Sequence, residues 1–560
     1  MYNKPLIVHT NSKKLYVLDW LDPDRKLANK LLSFTDVLQT PERVSTFQIS
    51  PYTLWTAAAK DVSAEEICKV LEEYSYTSIP SALQDEIYTY IQAYGTLEFY
   101  EEEGDLLLIA KHESIIQQIK SIDAITLKSI GYIDKHSMRF PMRYRIEIKK
   151  ILFEHGVYVK DYTFDSGEPL GMYVSSKTVN GEKFIVRDYQ EQAANSFLKY
   201  EGKAGGGGTI IMPPGSGKTI VALKIMEALQ INTLILVENQ ESANRWQQEL
   251  LDKTDLTESY IGLYDKNRKK LYPVTIGTYV SISKEIELFH NFGLVIYDDA
   301  HRVLAETYEK TIGIRARYRL ALASTLARSD RQGEKILALV GPKWYEILYQ
   351  DLVKAGYNIP VTCVEIRVPL SKEEQKQYKN AKGKSNKIRE IAALNKQKNQ
   401  VVETLLKEHI NKQVMITSYR KELILRYEKH LRIDAIYGGS DESHAAKLVQ
   451  LFNTKQVSWL NIASLTAEKM LIKGIEVIIA TSYQQGSERE EYLRIGKLLP
   501  IEGSKKEGVL YSLVSDNTIE EKDYRKRRMR LLHYGFPYIV RTAEDIQNGG
   551  ESYEIDRRIK

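Results

Sequence analysis

Cysteine is almost missing from this sequence: Cys68 and Cys363 are the only two in 560 residues. Two thiols build neither a disulfide framework nor a cysteine zinc site, and their scarcity fits a reducing compartment, so a cytoplasmic location is expected. Long apolar runs are missing as well, none approaching the roughly 18–20 residues that a membrane-spanning helix needs. The start, Met1 to Leu18, alternates polar with apolar residues and carries lysines without a long apolar core, so it is no secretory signal, and no membrane partner is expected. Charge of one sign is not in excess: the net charge is only +5 and the pI about 8.6, so the whole molecule does not announce nucleic acid. No repeat of fixed period marks a solenoid.

With 43% hydrophobic and 27% charged residues the composition is that of an ordinary globular protein. The chain is too long for one hydrophobic core, and roughly three or four domains are expected. Its most informative stretch is Ile211-Met212-Pro213-Pro214-Gly215-Ser216-Gly217-Lys218-Thr219. A β-rich run, Gly208 to Ile211, feeds it, and a helical pattern, Ile220 to Leu229, leaves it, which is the setting of a phosphate cradle. Glycines let backbone N–H groups close around a phosphate, Lys218 reaches the β/γ oxygens, and the Thr219 hydroxyl is placed to hold Mg²⁺. Met212 stands where the strict pattern has its first glycine.

A second motif belongs with the first. Val295-Ile296-Tyr297-Asp298-Asp299-Ala300-His301 ends a buried strand in acid. Asp298 is expected to hold Mg²⁺ through water and Asp299 to orient the attacking water. Upstream of the cradle, Arg187 and Gln190 are expected beside an adenine edge, because a Gln amide offers one donor and one acceptor. The alternative is that both simply face solvent at a helix start; the spacing favours ATP over GTP, with Pro214, Gly215, Ser216, Gly217, Lys218 and Thr219 forming the phosphate loop.

The organisation agrees with an α/β fold of two parallel-sheet lobes preceded by α+β modules. Strands are expected at Thr209–Met212, Thr233–Val237, Val274–Tyr279, Gly293–Tyr297 and Arg319–Ala323, then at Gln413–Ser418, Asp434–Tyr437, Trp459–Ala463, Glu476–Ala480 and Val509–Val514. The expected domains are residues 1–125 and 126–183 as small α+β modules, 184–345 as the first lobe, 346–410 as a linker with a basic helical segment, 411–545 as the second lobe, and 546–560 as a polar tail. Ser63 and Glu66 form a capping box. Ala204 to Gly208 reads as a flexible lead-in. The lysine-rich segment Lys372 to Lys398 and the cluster Tyr524-Arg525-Lys526-Arg527-Arg528-Met529-Arg530 carry the local positive charge. Such runs are either solvated faces or nucleic-acid contacts.

These motifs together resemble the superfamily 2 helicases, and specifically the bacterial branch of the XPB family of DNA repair helicases. Arg187-Asp188-Tyr189-Gln190 is similar to the family's entry motif, Pro214 to Thr219 to its Walker A loop, and Arg245-Trp246 with Glu249-Leu250 to its motif Ia block. Arg319 to Leu326 resembles motif III, Arg328-Ser329-Asp330 the Arg-Glu-Asp element, and Ser50 to Ala59 part of the amino-terminal accessory domain. The resemblance implies two RecA-like lobes, ATP and Mg²⁺ as cofactors, and 3′ to 5′ movement on single-stranded or forked DNA. It also implies a repair role, a protein partner reached through the amino-terminal modules, and a thumb-like grip on DNA by the lysine-rich segment. Ser324, Thr325, Arg328, Asp330 and Arg494 would couple ATP to DNA.

The sequence departs from the family at several places. Asp298-Asp299 replaces Asp-Glu, and Ala323-Ser324-Thr325 replaces Thr-Ala-Thr or Ser-Ala-Thr, so one hydroxyl has moved. In the motif VI stretch Glu490 to Pro500, Lys497 and Pro500 stand where the family has arginines, which leaves Lys497 as the candidate for the transition-state cation. Ile472-Lys473-Gly474-Ile475 stands in place of an Asp-Leu-Pro element. Two readings follow: an ATP-driven helicase or translocase, with Lys218, Asp298, Asp299 and Lys497 as catalytic groups, or a helicase-derived protein that uses ATP as a clamp on DNA and scarcely hydrolyses it.

Overall fold

The computed structural model describes residues 4–39, 43–132, 134–200, 202, 205–213, 215–300, 303–324, 333–470, 472–483, 488–498, 507–533 and 535–547. The chain divides into two compact units. The first comprises residues 1–38, 43–213 and 217–347, and the second 348–560 with two short pieces, 39–42 and 214–216.

The first unit opens with a four-stranded sheet, in spatial order Leu6–His9, Lys14–Leu18, Val44–Gln48 and Asp36–Gln39. Beside it in sequence lie the helices Pro51–Ala59, Ala64–Tyr74 and Ser81–Ala93. The expected capping box forms: Glu66 N donates to Ser63 Oγ at 3.1 Å and Ser63 N to the Glu66 carboxylate at 2.9 Å. A five-stranded sheet follows, ordered Gly131–Tyr132, Ser137–Pro141, Asp105–Ala110, Leu97–Glu102 and Lys160–Asp161, and so draws strands from both sides of residue 125.

The rest of the first unit is a seven-stranded sheet whose paired strands are all parallel. Its order is Ile261–Tyr264, Val274–Thr278, Thr233–Val237, Leu294–Tyr297, Tyr318–Ala323, Gly207–Ile211 and Lys343–Glu346. Every residue of the central strands is buried, because helices cover both faces of such a sheet. The carboxyl ends of Gly207–Ile211 and Leu294–Tyr297 therefore open on one edge, where α/β sheets bind ligands. The second unit repeats the architecture, with parallel strands ordered Ala435–Ile436, Trp459–Ala463, Val414–Ser418, Val477–Ala480, Gly508–Ser515, Val361–Val368 and Tyr538–Thr542.

The α/β class with two parallel-sheet lobes is thus what the sequence indicates, and each of the ten expected strands has its counterpart within a residue or two at each end. Four strands escape the sequence pattern: Ile261–Tyr264, Lys343–Glu346, Val361–Val368 and Tyr538–Thr542. Lys343–Glu346 and Val361–Val368 carry charges in buried positions. Lys343 is 1% exposed, and its ammonium donates to Thr35 O at 2.7 Å and to Glu346 at 2.5 Å.

The glycine run is not a flexible lead-in. Gly207 and Gly208 open the strand Gly207–Ile211 and are buried. A Cβ on Gly207 would stand 1.9 Å from Val340 O, and one on Gly208 2.0 Å from the Trp344 ring. Gly205 and Gly206 are in the left-handed region, with φ +63° and +76°, and press equally hard on Asp161 O and Arg317 O. Glycine is here for close backbone approach rather than for mobility.

A buried charge cluster ties the amino-terminal modules to the first lobe. Arg145 and Lys149 donate to Asp161 Oδ2 at 2.8 and 3.1 Å, and Thr163 Oγ1 to Asp161 Oδ1 at 2.6 Å. Arg319, inside the strand Tyr318–Ala323, donates to Asp161 O at 3.3 Å and to Gly205 O at 2.8 Å. Burial pushes the Asp161 carboxyl up, but Lys149, Arg145 and Arg319 outweigh it and hold the group well below the usual carboxylate range.

Candidate nucleotide site

Strand Gly207–Ile211 runs into the loop, and the helix Lys218–Leu229 leaves it, with Gly217 as its N-cap. Gly215 and Gly217 have φ of +69° and +79°, a conformation that only glycine takes cheaply, and the helix start turns its positive dipole end to the loop, which suits an anion. Thr219, in the first turn, is half-buried. Pro214 lies outside the described residues, as do Thr325, Arg328 and Asp330.

Lys218 is held rather than waving. Its ammonium donates to Met212 O at 3.1 Å, Pro213 O at 3.3 Å and Ser324 Oγ at 3.0 Å. Burial pulls its pKa below the ordinary lysine range, against the upward pull of Asp299 and Asp298.

Asp298 continues the strand Leu294–Tyr297: its N–H donates to Leu236 O at 3.0 Å on the neighbouring strand. Both of its carboxylate oxygens have partners, Oδ2 accepting from Trp246 Nε1 at 2.8 Å and Oδ1 from Asp299 N at 3.1 Å. Tyr279 OH donates to Asp298 O at 2.9 Å. Burial and then the adjacent Asp299 carboxylate push Asp298 up to about 6, against Trp246, Lys218 and Arg245, which favour the ionised form. Asp299 turns out of the strand at φ +50°. Trp246 therefore holds the acid that follows the strand Leu294–Tyr297, a contact between residues 52 apart that local pattern does not reveal.

Gln190 sits closer to the cradle than an adenine edge alone requires. Its Oε1 accepts from Arg187 N at 3.0 Å, which caps the helix Asp188–Tyr200, and it is 5% exposed. A Cβ on Gly217 would lie 2.2 Å from Gln190 Nε2, so the amide walls the phosphate loop. The acceptor end of Gln190 is thus engaged within the protein. Arg187 lies beside Tyr189 OH at 3.4 Å.

The residues suit a nucleoside triphosphate and a hard divalent cation. The cradle offers glycine backbone and a lysine, and the acid beside it offers oxygen donors of the kind Mg²⁺ takes together with substrate phosphates.

In the second unit, Arg494 is buried and serves the fold. Its guanidinium donates to Glu491 Oε1 at 2.8 Å, Ser464 Oγ at 3.1 Å and Ser482 O at 3.3 Å. Lys497 Nζ donates to Met470 O at 3.1 Å. The basic cluster of the helix Ile519–His533 is not a solvated cationic face throughout. Arg527 is buried over the Tyr483 ring, 4.6 Å from its centroid. Arg528 makes a two-pronged pair, both bonds 3.0 Å, with Glu365, which is fully buried in the strand Val361–Val368. Burying a carboxylate there requires a partner, and the helix supplies it. By contrast Lys372, Lys376, Lys379, Lys382 and Lys384 are exposed. The first three lie on one side of the helix Lys372–Asn380, three or four residues apart.

Comparison with known proteins places these features. Residues 352–557 match the family model of the ERCC3/RAD25/XPB C-terminal helicase, residues 183–328 that of the type III restriction enzyme res subunit, and residues 7–130 a helicase conserved C-terminal domain. The chain is 28% identical over 563 residues to a DNA 3′-5′ helicase XPB of Mycobacterium tuberculosis, covering 98% of this chain and 99% of that protein. It is 29% identical to the protein of the same name from Kineococcus radiotolerans, covering 98% of each. A general transcription and DNA repair factor IIH helicase/translocase subunit XPB from Encephalitozoon cuniculi is 24% identical over 96% of this chain and 82% of its own length. No helix among the described residues is long and apolar enough to cross a membrane.

Proposed function

Since the chain is a homologue of the XPB helicases over its full length, we propose that it is an ATP-driven DNA helicase or translocase moving 3′ to 5′ during repair. The observation that carries this reading is the juxtaposition, on one sheet edge, of the Lys218 cradle with Asp298 held by Trp246. Lys218 and the backbone of Gly215 and Gly217 bind the β/γ-phosphates, with Ser216 and Pro214 completing the loop. Gln190 and Arg187 border the base. Thr219 and Asp298 would hold Mg²⁺, which would neutralise phosphate charge when bound. Asp299 orients the water that attacks the terminal phosphate, and Lys497 is the cation offered to the developing charge. Ser324, Thr325, Arg328 and Asp330 lead from the ATP site toward coupling with DNA. Arg494 acts on that coupling by fixing the helix Glu488–Leu498 rather than by touching phosphate.

DNA is the polymer partner, gripped through its backbone without regard to sequence by the lysines of 372–384. A repair protein is the partner of the amino-terminal modules, and the cytoplasm is the compartment.

One observation favours a second reading, an ATP-gated DNA clamp with little turnover. Arg494 is committed to Glu491, and Lys497 lacks the planar fork of an arginine. Steady-state ATP hydrolysis with and without single-stranded and forked DNA, with Lys218→Ala as control and nucleotide titrations of both proteins, separates the two. A DNA-stimulated rate well above the control supports the motor. ATP binding without any Lys218-dependent hydrolysis removes the motor and leaves the clamp.

A further inference from the structure

The hydroxyl displaced within motif III has a partner. A lysine ammonium has three N–H donors and no acceptor. Among the described residues the Lys218 ammonium meets two carbonyls of the loop itself, Met212 O and Pro213 O, and Ser324 Oγ at 3.0 Å. Ser324 belongs to another element. It follows directly on the strand Tyr318–Ala323, which pairs in parallel with both Gly207–Ile211 and Leu294–Tyr297, so it emerges between the loop and the Asp298–Asp299 acids.

We propose that Ser324 is a positioning residue that latches Lys218 to the end of the strand Tyr318–Ala323, and that a phosphate oxygen displaces this hydroxyl in order to take the lysine. The three acceptors are not equally easy to displace. The two carbonyls belong to the main chain and move only with the backbone. A serine hydroxyl swings away about one bond. Exchange at Ser324 therefore costs least, and it carries the arrival of phosphate to the neighbouring strand. An alanine at this position, the residue at the corresponding place in the family pattern, does not offer Lys218 this hydroxyl.

The inference rests on the reading of Lys218 as the phosphate-binding lysine. Its test is calorimetric titration of ATP with magnesium into the full-length protein, its Ser324→Ala, Ser324→Thr and Lys218→Ala variants. Ser324→Ala is expected to bind ATP about three- to tenfold more tightly, since one competing hydrogen bond is gone. Ser324→Thr, which keeps the hydroxyl, is expected to match the parent protein. A generally damaged fold would weaken binding, so tightening is specific to the latch. Unchanged or weaker binding by Ser324→Ala, or equal tightening by Ser324→Thr, overturns the latch while leaving the nucleotide site in place. Undiminished binding by Lys218→Ala overturns the nucleotide reading itself.

Discussion

Trp246 donates its indole N–H to Oδ2 of Asp298 at 2.8 Å, so a residue of the helix Gln240–Lys253 fixes the carboxylate at the end of the strand Leu294–Tyr297. The acid is half-buried, and its second oxygen is held by Asp299 N. Two bonds in different directions set the plane of the carboxylate, which is the kind of second-layer support that positions a metal-holding group.

Replacing Trp246 by Phe keeps the ring and removes the donor. The rate of ATP hydrolysis at saturating nucleotide is expected to fall by about ten- to a hundredfold, with ATP affinity changing less than threefold, because a misplaced catalytic group costs rate before it costs binding. Equal losses in kcat and affinity would show that Trp246 merely supports the loop.

Asp299 is one methylene shorter than the glutamate of the family pattern. Asp299→Glu is expected to raise the DNA-stimulated hydrolysis rate, by up to about a hundredfold if carboxylate reach limits the water. Stopped-flow release of phosphate measures it, and an unchanged rate would locate the limiting step elsewhere.

The cationic residues of the second unit should separate into two groups. Replacing Lys372, Lys376 and Lys379 together by Ala is expected to weaken DNA binding and reduce the slope of log K against log salt by about 2–3, with the melting temperature unchanged. Arg528→Ala leaves the buried Glu365 carboxylate to Arg367 and Tyr538 but removes its two-pronged pair, and is expected to cost about 1.5–3 kcal/mol of stability, read by denaturant unfolding. Salt-dependent DNA titration of both variants checks the division.

Asp161 contributes to the acid sensitivity of the first unit. Its folded pKa lies below its unfolded value, so its contribution is fully present above the unfolded pKa of about 3.9 and disappears as pH falls through the lower, folded pKa. Between neutral pH and about pH 5 this group leaves stability unchanged. Asp161→Asn leaves Arg145, Lys149 and Arg319 without their anion and is expected to cost about 3–5 kcal/mol at pH 7. Urea unfolding of the parent and variant across pH 3–7 is expected to show the difference shrinking only at the acid end.

Gly207 tests the correction to the glycine run. Gly207→Ala drives a methyl group to 1.9 Å from the backbone oxygen of Val340, and is expected to cost about 2–3 kcal/mol or more. Thermal unfolding reads it, and a neutral result would restore the flexible lead-in.

The sequence by itself determined the α/β class, the ten regular strands and the placing of the phosphate loop and the acidic strand end. Each of these is a local pattern: an apolar run bounded by turn residues, a glycine-lysine loop between strand and helix, an acid closing a buried strand. Tertiary structure decided what those groups touch. Lys218 reaches Ser324 across 106 positions, Trp246 reaches Asp298 across 52, and Glu365 receives Arg528 across 163. Pairing over such separations depends on which strands become neighbours, and sheet order is not written in any one segment. The same cause lies behind the readings that changed. The glycines look flexible until Val340 and Trp344 are packed against them, and the arginines of the last long helix look solvated until a buried glutamate needs their charge, because desolvation acts only once the chain has folded.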